Sequence, residues 1–143
     1  MAGPGGGFCQ LFRAGLAQAP DSCIGNMNVT FDDAPPPLDE DDRRHPCHDP
    51  LYKDIDPTRL PHSESLSQCL NRTLPYWHEV IVPNILSGRQ LLIVSHGNTL
   101  RGLRMYIENL DKIEIQKVEI PLGIPFVYFL DENLKPIKFE LLE

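Results

Sequence analysis

The sequence of 143 residues predicts an α/β fold, and three stretches predict it. Leu91-Leu92-Ile93-Val94 is a continuous apolar run that reads as a buried parallel strand. Ser95-His96-Gly97-Asn98 follows it at once and leads into a helical pattern. Upstream, Leu66, Leu70, Leu74, Trp77, Ile81 and Ile85 recur at steps of three or four, the apolar stripe of an amphipathic helix. Downstream, Phe126 to Leu130 and Pro136 to Leu142 flank Asp131-Glu132-Asn133 as the arms of a β-hairpin.

Taken in order, residues 1–30 are Gly-rich with little periodicity and are expected to be a disordered or non-native leader. Within them Gln10 to Ala19 has the pattern of a short helix. The remainder, 31–143, is expected to be a partial α/β domain whose first part, 31–62, is a long irregular loop. That loop holds Pro35-Pro36-Pro37, the acidic block Asp39 to Asp42, which reads as a solvated surface, and prolines 46, 50, 57 and 61. The striped helix should begin near Ser63 to Ser65. Pro75 and Pro83 interrupt it, and an interior proline costs about 3 kcal/mol, so a kink or restart is expected at Pro75. Gly88 suits the position just past its end. Trp77 reads as a core anchor. The strand Gln90 to Ser95 comes next, then a helix from Asn98 to Asn109 with Leu100, Leu103, Ile107 and Leu110 inward and Arg101 and Arg104 solvated. Asp111 to Val118 suits a short helix.

Composition narrows the function. A formal charge of −7 argues against non-specific nucleic-acid binding, which needs basic patches. No apolar run approaches the roughly 18 residues of a membrane span. Apolar content of 41% with 14 prolines fits a chain that is in large part loop. Cys9, Cys23, Cys47 and Cys69 contain no Cys-x-x-Cys and suggest reduced thiols rather than a disulfide framework. His45-Pro46-Cys47-His48-Asp49 carries ligand-type side chains, but Pro46 and the lack of a second cluster weigh against zinc, and no metal is expected.

The chemistry concentrates at His96, Gly97 and Asn98. They stand at the carboxyl end of a strand where a helix begins, the place where open α/β sheets bind ligands and where free N–H groups attract phosphate. A histidine there can donate to a phosphoryl oxygen. Gly97 leaves the backbone accessible, and Asn98 can cap the helix and reach a ligand. The plainer reading is a core strand that ends in a surface histidine.

Further segments stand in a definite order. They are Phe31-Asp32 with Pro35-Pro36-Pro37, Leu60-Pro61-His62-Ser63-Glu64-Ser65-Leu66 and Leu74-Pro75-Tyr76-Trp77, then the His-Gly-Asn turn. Leu100-Arg101-Gly102-Leu103, Pro121-Leu122-Gly123-Ile124-Pro125 and Leu130-Asp131-Glu132-Asn133-Leu134-Lys135-Pro136 follow it. Together they resemble the C-terminal half of the cofactor-dependent (2,3-bisphosphoglycerate-dependent) phosphoglycerate mutases, within the histidine phosphatase superfamily. The resemblance implies the C-terminal part of a three-layer α/β/α fold with a C-terminal β-hairpin. It also implies a glycolytic, cytoplasmic isomerase that interconverts 3-phosphoglycerate and 2-phosphoglycerate through a phosphohistidine, primed by 2,3-bisphosphoglycerate. His96 would stabilise the transferring phosphoryl group in catalysis, while Gly97 and Asn98 would bind substrate.

The resemblance stops near Thr30. Family members begin with a strand ending in Arg-His-Gly-Glu, whose histidine is the nucleophile, and this sequence contains no such motif. Arg44-His45 is followed by Pro46 and is a decoy. The N-terminal strand and nucleophile region are therefore expected to be absent, the chain inactive alone, and a strand edge exposed, with low stability or aggregation as the result. Two further readings follow. One is a non-catalytic truncated paralogue that forms a homo-oligomer, pairs with a full-length mutase or binds phosphorylated metabolites. The other is a phosphatase of the same superfamily, which the Pro-Leu-Gly-Ile-Pro and Asp-Glu-Asn-Leu-Lys-Pro segments disfavour.

Overall fold

A computed structural model describes residues 8–14, 31–60 and 63–142. Its regular elements are β1 (Phe8–Ala14), α1 (Leu66–Tyr76), a π-helical segment (Trp77–Ile81), α2 (Val82–Leu86), β2 (Leu92–Ser95), α3 (Gly97–Glu108), β3 (Phe126–Leu130) and β4 (Pro136–Leu141). The strands form one mixed sheet in the order β2-β1-β3-β4. β1 runs parallel to β2 and antiparallel to β3, and β3 and β4 form the expected hairpin. The chain is mixed α/β, as the sequence predicts.

The N-terminal region departs from expectation. A helix over Gln10 to Ala19 is replaced, as far as Ala14, by a strand, and the rest of that stretch lies outside the described residues. The leader is thus ordered over Phe8–Ala14, and a strand does stand beside β2, with Leu11 to Ala14 paired to Leu92 to Ser95. The physical reason lies in the partners. Short segments take the conformation of the edges available to them, and here both β2 and β3 offer unsatisfied backbone groups to a single seven-residue segment.

Helical expectations hold better. Ser65 caps α1 through a capping box: its hydroxyl accepts from the Gln68 N–H at 3.1 Å, and the Gln68 side chain accepts from the Ser65 N–H at 2.8 Å. Pro75 sits inside α1 without breaking it. The irregularity falls one turn later, where Trp77–Ile81 widens to π geometry and the helix resumes as α2. That extra residue per turn keeps the apolar side on the core: Trp77, Ile81 and Ile85 are all buried. Gly88 ends the run at φ +83°, a value open to glycine. The Asp111 to Val118 helix shrinks to a single 3₁₀ turn, Ile115–Lys117, whose Ile115 is fully buried.

The core joins one face of the sheet to the helices. Phe12, Phe126, Tyr128 and Leu130 meet Trp77, Ile81, Ile85, Leu100, Leu103 and Ile107. Phe12 and Phe126 stack at 5.2 Å, and Tyr128 meets Phe12 edge-on at 5.5 Å. α1 crosses α3 closely at Gly102, where an added Cβ would lie 3.3 Å from the Cβ of Leu70. The opposite face is open at β2. Leu92 and Val94 are 59% and 55% exposed, so the run expected to be buried on both sides is buried on one.

Arg104, expected to be solvated, is bound into the structure. Its Nε donates to Glu108 Oε1 at 2.9 Å, and its guanidinium lies 4.4 Å from the Phe139 ring centre. Tyr128 donates its hydroxyl proton to the same Glu108 oxygen. Burial, and then the neighbouring Glu108 carboxylate, push the Tyr128 phenol well above its ordinary value.

Two outcomes follow. Gly102→Val should destabilise the fold by about 1–3 kcal/mol through overpacking against Leu70, measurable by chemical denaturation. A phenol whose folded pKa is raised stabilises the fold below the unfolded value of about 10, and that contribution fades as pH rises past it. Tyr128→Phe should therefore cost stability at neutral pH and flatten its decline above about pH 10; an equally steep decline would show that Tyr128 does not carry it.

Candidate functional site

The candidate site is the turn between β2 and α3. β2 ends at Ser95, paired with Ala14 of β1, and His96 then adopts an extended conformation at φ −65° and ψ 148°. That residue is the N-cap of α3. Its imidazole Nδ1 accepts from the backbone N–H of Asn98 at 3.2 Å, and its carbonyl accepts from the Leu100 N–H at 3.1 Å. The expected cap, Asn98, is instead the second residue of the helix. The helix begins one residue earlier than its sequence suggested, because the His96 ring performs the capping that an Asn, Asp or Ser side chain usually performs.

This has a chemical consequence. With Nδ1 accepting, the neutral imidazole carries its proton on Nε2, so the nitrogen outside the cap is a hydrogen-bond donor. Gly97 comes next, and apart from its chain neighbours and its own helix backbone no atom of the described residues lies within 4 Å of where its Cβ would stand. The backbone there faces open space, and α3 directs the positive end of its dipole to the same place. Asn98 is exposed, with its side-chain amide accessible. His96, Gly97 and Asn98 are thus brought together on one turn.

Two neighbours were not singled out as site residues in the sequence. Arg101 lies four residues past Gly97 on the same side of α3, and helical side chains lean toward the N-terminus. Its Nε is enclosed and finds no hydrogen-bond partner among the described residues. Desolvation lowers its pKa, against a smaller opposing effect of Glu119. The expectation of a solvated Arg101 is corrected accordingly; the i, i+4 spacing to Gly97 was the available signal. Cys69 of α1 packs its buried thiol 3.6 Å from the Thr99 hydroxyl, and burial raises its pKa. A thiol so held is a packing group rather than a nucleophile.

The other chemistry-bearing residues are structural. His45 is buried and caps the 3₁₀ turn Pro46–His48, its Nδ1 accepting from the Cys47 N–H at 3.2 Å. His48 Nε2 lies 2.7 Å from the Glu40 carbonyl oxygen. Neither is near the His96 turn in the chain, and among the described residues no three ligating side chains converge as a metal site would need. Among the described residues no helix is long and apolar enough to cross a membrane.

Fold and turn together define a mixed α/β protein in which a strand-to-helix junction presents an imidazole N–H, an unobstructed glycine and an amide. Comparison with known proteins makes this more specific. A 2,3-bisphosphoglycerate-dependent phosphoglycerate mutase from Nitratidesulfovibrio vulgaris is 42% identical to the chain over 113 residues, which are 79% of the chain and 45% of that protein. The chain is therefore a homologue of the 2,3-bisphosphoglycerate-dependent phosphoglycerate mutases, spanning less than half the length of the relative it matches. No family model matches the chain.

The cap separates from any ligand role by substitution. His96→Asn keeps an acceptor for the Asn98 N–H and should change stability by no more than about 0.5 kcal/mol, whereas His96→Ala should cost about 0.5–2 kcal/mol. Equal losses in the two variants, measured by thermal and denaturant unfolding, would show that the imidazole does not act as the cap.

Proposed function

We propose that the turn at His96, Gly97 and Asn98 binds the phosphoryl group of a phosphoglycerate, and that the chain alone does not turn it over. The observation that carries this reading is the division of labour in the His96 ring. Nδ1 is committed to the helix, so Nε2–H is left as a fixed donor beside an open glycine backbone. A dianionic phosphoryl group fits that donor set, because it accepts several charge-assisted hydrogen bonds at once. In this reading His96 is the residue aimed at the transferring group, and Gly97 and Asn98 hold the substrate.

Homology supplies the chemical class. The parent reaction is the interconversion of 3-phosphoglycerate and 2-phosphoglycerate in glycolysis, in the cytoplasm, with 2,3-bisphosphoglycerate as primer. The residues present fit binding of that bisphosphate and do not fit its covalent use. The strand beside β2 ends in Arg13-Ala14, and Ala14, paired with Ser95, offers no nucleophile. No step through a phosphohistidine is available to this chain as its sequence stands. The three-layer fold of complete mutases would need helices over the Leu92 and Val94 face as well.

A second reading also rests on Ala14, which offers no nucleophile beside Ser95. It is a non-catalytic paralogue that holds phosphorylated metabolites or associates with a complete mutase.

Titration of the isotope-labelled chain with 3-phosphoglycerate and with 2,3-bisphosphoglycerate should move the Gly97 and Asn98 amides and the His96 ring resonances. His96→Gln should weaken binding by about tenfold or more, the worth of one charge-assisted hydrogen bond. Shifts confined to other residues would remove the turn from the binding site. A coupled assay should detect no mutase turnover by the chain alone, and clear turnover would refute the inactive reading.

A further inference from the structure

We propose that Arg101 is a second anchor beside the His96 turn, a planar fork that takes the carboxylate of a bound phosphoglycerate while the turn takes its phosphoryl group. This rests on the phosphoryl-binding reading of the turn and deepens it. It names the residue that would select a phosphorylated acid over other phosphate esters.

α3 carries two arginines in different circumstances. Arg104 is engaged: its Nε donates to Glu108 at 2.9 Å, and its guanidinium lies over the Phe139 ring. Arg101, nearer the start of the helix, is partly buried, and its Nε is enclosed without a hydrogen-bond partner among the described residues. An enclosed N–H left unpaired is rare in folded proteins, because it gives up water and gains no acceptor in return. Desolvation also works against its positive charge, and the Glu119 carboxylate opposes this to a smaller extent. The side chain leans, moreover, toward the positive end of the helix dipole, which disfavours a cation. An anion at this place relieves all three terms.

Helix geometry says where that anion stands. Residues three and four apart share a face of a helix, so Gly97 and Asn98 lie on the Arg101 side of α3. A helical side chain covers the turn that precedes it, which here is the turn that begins at Gly97. Gly97 itself puts no side chain into that space. The two donor sets also differ in shape. His96 Nε2–H and the backbone beside Gly97 suit a rounded group with several acceptor oxygens. A guanidinium is flat and meets a carboxylate through two parallel N–H···O bonds. One helical turn, about 5.4 Å, separates the two. A phosphoglycerate carries its two anionic groups on a three-carbon frame and can meet both at once.

Comparing 3-phosphoglycerate with glycerol 3-phosphate, which has a hydroxymethyl group in place of the carboxylate, tests this. Binding of each is followed by titration of the isotope-labelled chain. Arg101→Gln should weaken 3-phosphoglycerate binding by about tenfold and leave glycerol 3-phosphate binding unchanged. Arg101→Lys keeps the charge but loses the fork, and should recover only part of that difference. In the unsubstituted chain the Arg101 Nε–Hε resonance should shift with 3-phosphoglycerate and stay in place with glycerol 3-phosphate. This measurement decides the matter even if a variant fails to fold. An Arg101→Gln variant that loses both ligands equally, or neither, overturns the carboxylate role, as does an Nε–Hε resonance that answers both ligands alike. In those cases binding of glycerol 3-phosphate at Gly97 and Asn98 would leave the phosphoryl reading standing. If neither ligand moves the turn, both readings fall together.

Discussion

The pairing of β1 with both of its neighbours is the interaction on which the rest of the structure depends. In the order β2-β1-β3-β4, the strand that delivers His96 is joined within the sheet to the C-terminal hairpin through Phe8–Ala14. Phe12 fixes the link on the core side: it stacks on Phe126 of β3 and lies in the same buried cluster as Leu100 and Leu103 of α3. Remove that strand and β2 loses its one described partner, while Phe126 and Tyr128 lose an aromatic neighbour. Burying a ring of this size contributes about 1.5–3 kcal/mol, a large share of what a small domain has to spare.

The parts of this fold that could be read from sequence are those whose signal is local. The hairpin shows in its turn: Asp131 Oδ1 accepts from the N–H groups of Asn133 and Lys135, and those positions are the ones the sequence marks as a reversal. The Trp77, Ile81 and Ile85 stripe shows because a helix repeats it. β1 does not show, because Phe8-Cys9-Gln10-Leu11-Phe12-Arg13-Ala14 lacks strict alternation, and pairing partners remote in sequence make it a strand. Nor does the π segment, whose effect is to keep an apolar side in register across Pro75 and Pro83, a requirement set by packing rather than by propensity.

The candidate turn was marked in the sequence, and the residue that caps its helix was misread. His96, Gly97 and Asn98 announce themselves by their place between an apolar run and a helix, but which of them caps the helix depends on backbone angles that a sequence does not display. The outcome matters chemically. An Asn98 cap would have left both imidazole nitrogens uncommitted; a His96 cap commits one and fixes the proton on the other. The start of α3 and the donor on Nε2 thereby depend on one ring.

Covering the sheet is the remaining physical problem, and it bears on function. Helices bury the face that carries Phe12, Phe126 and Tyr128, yet β2 is composed as though both of its faces and both of its edges were inside. Exposed Leu92 and Val94 leave an apolar surface on the other face of β2. The His96 turn lies directly at the end of that strand. Whatever covers that face of β2 therefore also borders the turn that carries His96.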